Sequence, residues 1–136
     1  MKLRMSPAVS IFLGCIAGAL VLALMEGLVR VVPPESPWNE TFGSVLTSLA
    51  PICPGLVSGY LAARSGFLVG SIASVLTSIF DSIYVVLISS SSAAEPMVSP
   101  AIPQEITFAL VAILVGGVCG IAGVAVATRA ATQGEE

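Results

Sequence analysis

Apolar residues run along the chain in four long stretches that short polar segments separate. The stretches cover residues 7–32, 42–63, 66–89 and 106–128. Each is long enough to cross a lipid bilayer as an α-helix, which takes about 20 residues. None of them alternates apolar and polar residues with the period of two that a half-buried strand requires. The pattern therefore predicts an all-α membrane protein, in which four transmembrane helices form one antiparallel bundle within a single domain over residues 1–136.

The overall composition agrees with a chain that lies in lipid. Hydrophobic residues make up 56% of the sequence, charged residues make up 10%, and the mean hydropathy is +1.02. A typical soluble domain carries about 25% charged residues, so this chain has too little polar surface to cover an apolar core in water. The lipid bilayer is therefore its expected surroundings. The net charge of −3 is small and scattered, so we expect no nucleic-acid partner.

Local signals mark where the spans begin and how they connect. Ser6 followed by Pro7 fits an N-cap with proline at the first helical position, and Pro103 has a similar place before the fourth span. Arg64-Ser65-Gly66 leaves only a tight connection between the second and third spans. We therefore expect these two spans to form a helical hairpin.

Basic residues predict the orientation of the bundle. One side of the membrane would carry four of the five, and Arg30 alone would lie towards the other side; the four are Lys2, Arg4, Arg64 and Arg129. Under the positive-inside rule, this distribution predicts an integral membrane protein with both termini in the cytoplasm.

The two halves of the sequence resemble each other weakly. The first span aligns with the third after a shift of 55 residues, which places Glu26 on Asp81. The second aligns with the fourth after a shift of 65, which places Gly55 on Gly120. The match rests on charge positions and small-residue spacing, and it predicts two hairpins related by a pseudo-twofold axis along the membrane normal. A bundle this small is also expected to form homo-oligomers.

Small residues recur at a spacing of four, and they allow two interpretations. GxxxG pairs include Gly14 with Gly18, Gly55 with Gly59, and Gly116 with Gly120, and Gly70 with Ser74 extends the pattern. Such pairs let helix backbones approach each other in lipid, so the first interpretation is that they are packing seams.

The second interpretation is that the helices bend or open at these positions. The segments PICPG (51–55) and GGVCG (116–120) occupy matching depths of the second and fourth spans. Prolines within a helix remove a backbone donor, and broken helices at corresponding positions are typical of transport sites. The candidate helix-break residues are Pro51, Pro54, Gly55, Gly116, Gly117 and Gly120.

Two carboxylates lie inside the predicted spans, Glu26 in the first and Asp81 in the third. A carboxylate at the bilayer centre costs roughly 2.5–3.5 kcal/mol, so both are expected to face other helices. Arg30 follows Glu26 by four residues and can pair with it on one helix face. Asp81 has no such neighbour. It would use Arg30 from across the bundle, a hydroxyl of Ser78 or Tyr84, or a proton.

These residues lead to two functional hypotheses. In the first, Glu26 and Asp81 serve an ion- or proton-coupled carrier or channel. In the second, Glu26, Arg30 and Asp81 form a structural polar cluster in an accessory protein, which packs as an oligomer or with a larger complex.

We expect no enzyme, because the residues that chemistry would need are missing. The sequence contains no histidine and a single aspartate, and it has no phosphate-binding glycine loop and no CxxC pair. We therefore predict no catalytic residue, no metal site and no cofactor. The three cysteines lie far apart in apolar segments and are interpreted as small buried apolar residues; they are Cys15, Cys53 and Cys119.

The stretch PGLVSGYLAARSGFLVGSIAS (54–74) resembles the glycine-rich hairpin of small four-span archaeal and bacterial membrane proteins of unknown function. The resemblance rests on glycine spacing and Arg64, and it covers about a sixth of the chain. It implies a four-span fold in a prokaryotic cell membrane and no particular activity. Small multidrug exporters also have four short spans with an acid in the first. They lack the proline-rich outer loops and the second acid of this chain, so membership in that family is not inferred.

Overall fold

A computed structural model of the chain describes residues 5–33, 35–38, 41, 45, 50–62, 65–91 and 102–133. Within these residues the structure is helical, and its helices are α1 (Pro7–Val31), α2 (Ile52–Ala62), α3 (Gly66–Ser91) and α4 (Ile102–Gln133). Of the described helices, α1, α3 and α4 are long and apolar enough to cross a membrane, and α2 is a shorter apolar helix. The predicted all-α class with four apolar helices is confirmed at this level.

The first and third helices end close to where the sequence predicts. Helix α1 ends one residue before the predicted span 7–32, and α3 extends two residues beyond 66–89. At the start of α1, the backbone N–H of Val9 lies 3.4 Å from the Ser6 hydroxyl, and the N–H of Ser10 donates to the Ser6 carbonyl at 3.0 Å. The predicted N-cap at Ser6 is therefore present.

The second and fourth helices differ in length from their predicted spans. Helix α4 exceeds the predicted range 106–128 at both ends, because backbone hydrogen bonds continue where the side chains become polar. Helix α2 has 11 residues, or about 16 Å at 1.5 Å per residue, against the predicted 42–63. Residues 42–44 and 46–49 of that span lie outside the described residues.

Helices α2 and α3 form the centre of the bundle. Helix α1 packs against both of them from one side and α4 packs against both from the other, and within the described ranges α1 and α4 do not touch. Gly14 of α1 lies beside Ala73 of α3, and Gly18 lies beside Thr77, so α1 and α3 run in the same direction. A pseudo-twofold axis that exchanges the two hairpins would pair α1 with α4 just as it pairs α2 with α3. The structure does not show this second contact in the part of the chain that it describes, so the internal repeat stays a prediction.

The distribution of side chains is the reverse of that in a soluble protein. The buried hydrophobic residues are few and mostly small, and hydroxyl residues are buried beside them: Ala62, Val69, Ala73, Ala112, Ser10, Ser58, Ser71, Ser74 and Thr77. Large apolar side chains lie outside; Phe12 is 64% exposed and Leu24 69% exposed. Water would penalise such a surface heavily, whereas acyl chains would not.

Candidate functional site

The two intramembrane carboxylates belong to neighbouring helices. Glu26 on α1 and Asp81 on α3 are both half-buried, and they lie within electrostatic reach of each other. Since Gly18 is level with Thr77, Asp81 is level with the residue four positions after Gly18, and Glu26 lies one turn further, about 6 Å along the axis. Because the two helices run in the same direction, both side chains lean the same way, and this axial offset between their backbones remains.

A stripe of small and hydroxyl residues leads along α3 to Asp81. Gly70, Ser74 and Thr77 are buried and recur at spacings of four and three, so they lie on one helix face. Asp81 continues this face by one turn. The carboxylate therefore stands at the end of a polar line inside the bundle, where burial begins to decrease.

Hydroxyls of α3 hold the neighbouring helices by hydrogen bonds to their backbones. Ser74 Oγ donates to the carbonyl of Pro51, just before α2, at 2.7 Å. Ser71 Oγ donates to the carbonyl of Ile113 on α4 at 2.8 Å. Every buried side-chain oxygen and nitrogen in the described part of the chain has a hydrogen-bond partner, which satisfies the requirement for polar groups inside an apolar medium.

The predicted partners of Asp81 have different positions. The Ser78 hydroxyl donates to the Ser74 carbonyl of its own helix at 3.0 Å, and Tyr84 is 47% exposed. The backbone of Arg30 belongs to α1, and its side chain lies outside the described part of the structure. A polar cluster of Glu26, Arg30 and Asp81 with Ser78 and Tyr84 therefore stays a prediction.

The candidate helix-break residues do not interrupt a helix in this structure. Pro51 precedes α2, and Pro54 lies in its first turn, where the missing N–H would have no helical partner in any case. Gly116, Gly117 and Gly120 lie inside α4, which continues through them without interruption. The helix is thus unbroken at these glycines, and bending or opening there stays a prediction.

Glycines bring α4 into direct backbone contact with both central helices. A Cβ atom built on Gly55 of α2 would lie 2.6 Å from the Gly116 carbonyl oxygen and 3.0 Å from the Gly116 Cα. On the α3 side, a Cβ atom built on Gly70 would lie 2.9 Å from the Gly120 Cα. The sequence drew attention to Gly116 and Gly120. Of their α3 partners, Gly70 belongs to the same small-residue pattern in the sequence, whereas Gly66, which lies four residues before it, was missed.

The glycines of α1 that make close contacts with other helices lie in its N-terminal half. A Cβ atom built on Gly14 would lie 2.8 Å from both the Pro54 carbonyl oxygen and the Ser58 Cβ, whereas one built on Gly27 meets nothing within 4 Å. An open apolar groove of about 520 Å³ runs along the C-terminal half of α1, lined by Val21, Leu24, Met25, Gly27, Leu28 and Val31. Glu26 lies in this half of α1 and is half-buried.

The chemistry open to this arrangement follows from its two carboxylates. Two carboxylates at close range can share one proton or bind one cation, which removes their mutual repulsion. Among the described residues, no group of three or more His, Cys, Asp or Glu could hold a metal ion. Comparison with known proteins gave no match to a family model, a curated protein or a solved structure.

Proposed function

We propose that the chain is a small polytopic integral membrane protein that handles protons or small cations at Glu26 and Asp81, as a carrier or a channel. The observation that carries the proposal is the pairing of two half-buried carboxylates from neighbouring apolar helices. Keeping two like charges together in a medium of low dielectric is costly. A proton or cation that binds between them relieves this cost, and its release restores it, which is the cycle that a coupled carrier needs.

The same proposal assigns a hinge to the level of Pro51 and Gly116. Helix α2 begins there with Pro51 just before it and Pro54 in its first turn, and glycines of α4 lie against its backbone. Gly55 of α2 and Gly116 of α4 face each other here without side chains, so little would resist a small rotation of one helix against the other. We propose that Pro51, Pro54, Gly55, Gly116, Gly117 and Gly120 allow α2 and α4 to part and to open a path to the carboxylates.

The topology in the membrane belongs to the proposal as well. Both termini face the cytoplasm of a prokaryotic cell, and the GxxxG pairs are packing seams within the bundle. The chain also forms homo-oligomers, and the two hairpins descend from a repeat. The support for these assignments is the distribution of basic residues and the spacing of glycines in the sequence.

A liposome assay tests the proposal directly. The full chain is reconstituted into vesicles that contain a pH-sensitive dye, and proton entry is followed after a membrane potential is imposed, with and without a sodium gradient. D81N and E26Q should reduce the flux at least tenfold, because an amide cannot release a proton. E35Q serves as the control, since Glu35 is exposed in the segment after α1 and its replacement should leave the flux unchanged.

Two outcomes would refute the proposal. One is a flux of protons and sodium in wild-type vesicles that equals the leak of empty vesicles. The other is a flux that survives both carboxylate replacements. Circular dichroism of each variant shows whether the helical content is retained, so that a loss of flux is not mistaken for a loss of fold.

The second candidate function is that of a packing or accessory protein. The observation that favours it is the satisfied interior, where buried hydroxyls donate to backbone carbonyls and glycines close the gaps between helices. In that case D81N changes thermal stability, and wild-type and variant vesicles show the same background leak.

A further inference from the structure

Two thiols from different helices lie near the glycine contact between α2 and α4. Cys53 is the second residue of α2 and Cys119 lies in the middle of α4, and both are free and half-buried. A Cβ atom built on Gly55 would lie 3.1 Å from the Cβ of Cys119, so the Cys119 side chain arises directly against α2, two residues from Cys53. The two thiols also lie within electrostatic reach of each other.

The backbones of α2 and α4 approach each other closely at this contact. Packed helices ordinarily have their axes 8–10 Å apart because side chains separate them. Here a Cβ atom on Gly55 would lie only 3.0 Å from the Gly116 Cα, which shows that backbone meets backbone. A disulfide requires Cα atoms within about 7 Å of each other, and a close approach of two helix backbones favours such separations.

We propose that Cys53 and Cys119 form an oxidation-sensitive pair, which closes to a disulfide that ties α2 to α4. The inference is independent of transport by Glu26 and Asp81 and holds equally for an accessory protein. It assigns to these two cysteines a role that their apolar surroundings alone do not indicate.

The reaction balances with a membrane-permeant azo oxidant such as diamide. One thiolate adds to the N=N bond, and the second thiolate displaces the adduct from the first sulfur. The S–S bond forms, the two thiols together lose two electrons and two protons, and the azo group gains them to become a hydrazine.

Cys15 provides an internal control. It lies on α1, and its Sγ donates to the carbonyl of Ala73 on α3 at 3.6 Å. That interface is separate from the α2–α4 contact, so Cys15 should remain a thiol under conditions that oxidise the pair.

The sequence makes the bond simple to map. Cleavage after the basic residues releases each cysteine in its own peptide, namely 5–30, 31–64 and 65–129. The full chain is purified in detergent under reducing conditions, freed of reductant and treated with diamide. It is then alkylated with N-ethylmaleimide and digested with trypsin without reduction. C15A, C53A and C119A are treated in parallel, with circular dichroism to verify folding.

In the wild type, two of the three thiols should escape alkylation, and peptides 31–64 and 65–129 should appear as one linked mass that reductant separates. C15A should give the same linked mass, and C53A and C119A should retain both of their remaining thiols for alkylation. The proposal is overturned if all three wild-type thiols are alkylated after diamide. It is also overturned if Cys15 enters the bond or if the link joins two chains rather than two peptides of one chain.

Discussion

Ser74 shows how a single small residue can join three helices. It is fully buried on α3, and its hydroxyl donates to the Pro51 carbonyl at 2.7 Å. On its other side it occupies the space that a side chain at position 116 would need, since a Cβ atom built on Gly116 would overlap Ser74 Oγ. The position of α2 relative to α3 and the approach of α4 therefore depend on the same atom.

Replacing Ser74 with alanine should lower the free energy of unfolding by about 1 kcal/mol, the usual net contribution of a hydrogen bond in a protein interior or between membrane helices. The measurement is unfolding of the full chain in mixed micelles as the denaturing detergent is increased. S82A is the matched control, because the exposed Ser82 hydroxyl donates to the Ser78 carbonyl of its own helix. An equal effect of the two substitutions would show that the link to Pro51 contributes nothing.

The sequence identifies the residue types at this scale but not their partners. A serine in an apolar span is expected to donate its hydroxyl hydrogen bond to a carbonyl of its own helix, as Ser78 does. That Ser74 instead reaches across to Pro51 depends on where α2 begins, which hydropathy does not show. The two carboxylates could be identified from the sequence, because charged residues are rare in apolar spans. The distance between Glu26 and Asp81 could not, because it depends on how α1 and α3 align along their axes.

At the scale of elements, glycine positions decide which helices approach most closely. Gly120 faces the backbone of α3, and a Cβ atom built there would lie 3.1 Å from the Gly70 Cα. Gly27 of α1 is the natural comparison, because a Cβ atom there would meet nothing within 4 Å. Both glycines are helical, so both would gain the same intrinsic helix preference from a methyl group.

G120A should destabilise the bundle by about 1–3 kcal/mol, the usual cost of overpacking a close contact. G27A should stabilise it by up to about 1 kcal/mol, because alanine favours a helix over glycine by that amount. Thermal unfolding in detergent measures both. A stable G120A variant would mean that α4 does not rest on α3 at this glycine.

The lengths of the elements were predictable where a cap coincides with the end of the apolar run. This holds for α1, which begins after Ser6, and for α3, which begins after the tight connection at Ser65. For α2 the sequence did not predict the start at Ile52, because the apolar run continues across that position; residues 42–44 and 46–49 lie outside the described part of the chain. Pro51 held the missing signal, since proline favours the start of a helix over its interior.

At the scale of the whole molecule, the predicted direction of the chain can be tested without knowledge of its activity. A green fluorescent protein at the C-terminus should fluoresce in bacterial cells, because it folds only in the cytoplasm, and an alkaline phosphatase there should be inactive. Phosphatase inserted after Trp38, which is 64% exposed beyond α1, should be active. The opposite pattern would place the termini outside and refute the orientation derived from the basic residues.

The order of helices around the bundle could not have been predicted from hydropathy. Each apolar span is equally suited to a place in the centre or at the edge, so the pattern predicts the number of helices and their alternation but not the central position of α2 and α3. The choice is made by contacts between small residues on specific faces, such as Gly55 against Gly116. Those faces can be listed from the sequence, but their pairing cannot.

The glycine-lined seat of α4 has a consequence for biosynthesis. The surfaces of α2 and α3 that contact α4 are synthesised before α4 has left the ribosome. Helix α1 packs against the other side of these two helices. Until α4 arrives, the bare peptide groups beside Gly55 and Gly70 border lipid or the insertion machinery. A chain truncated before α4 would therefore leave these backbone groups uncovered, because within the described residues α4 is the helix that packs against them.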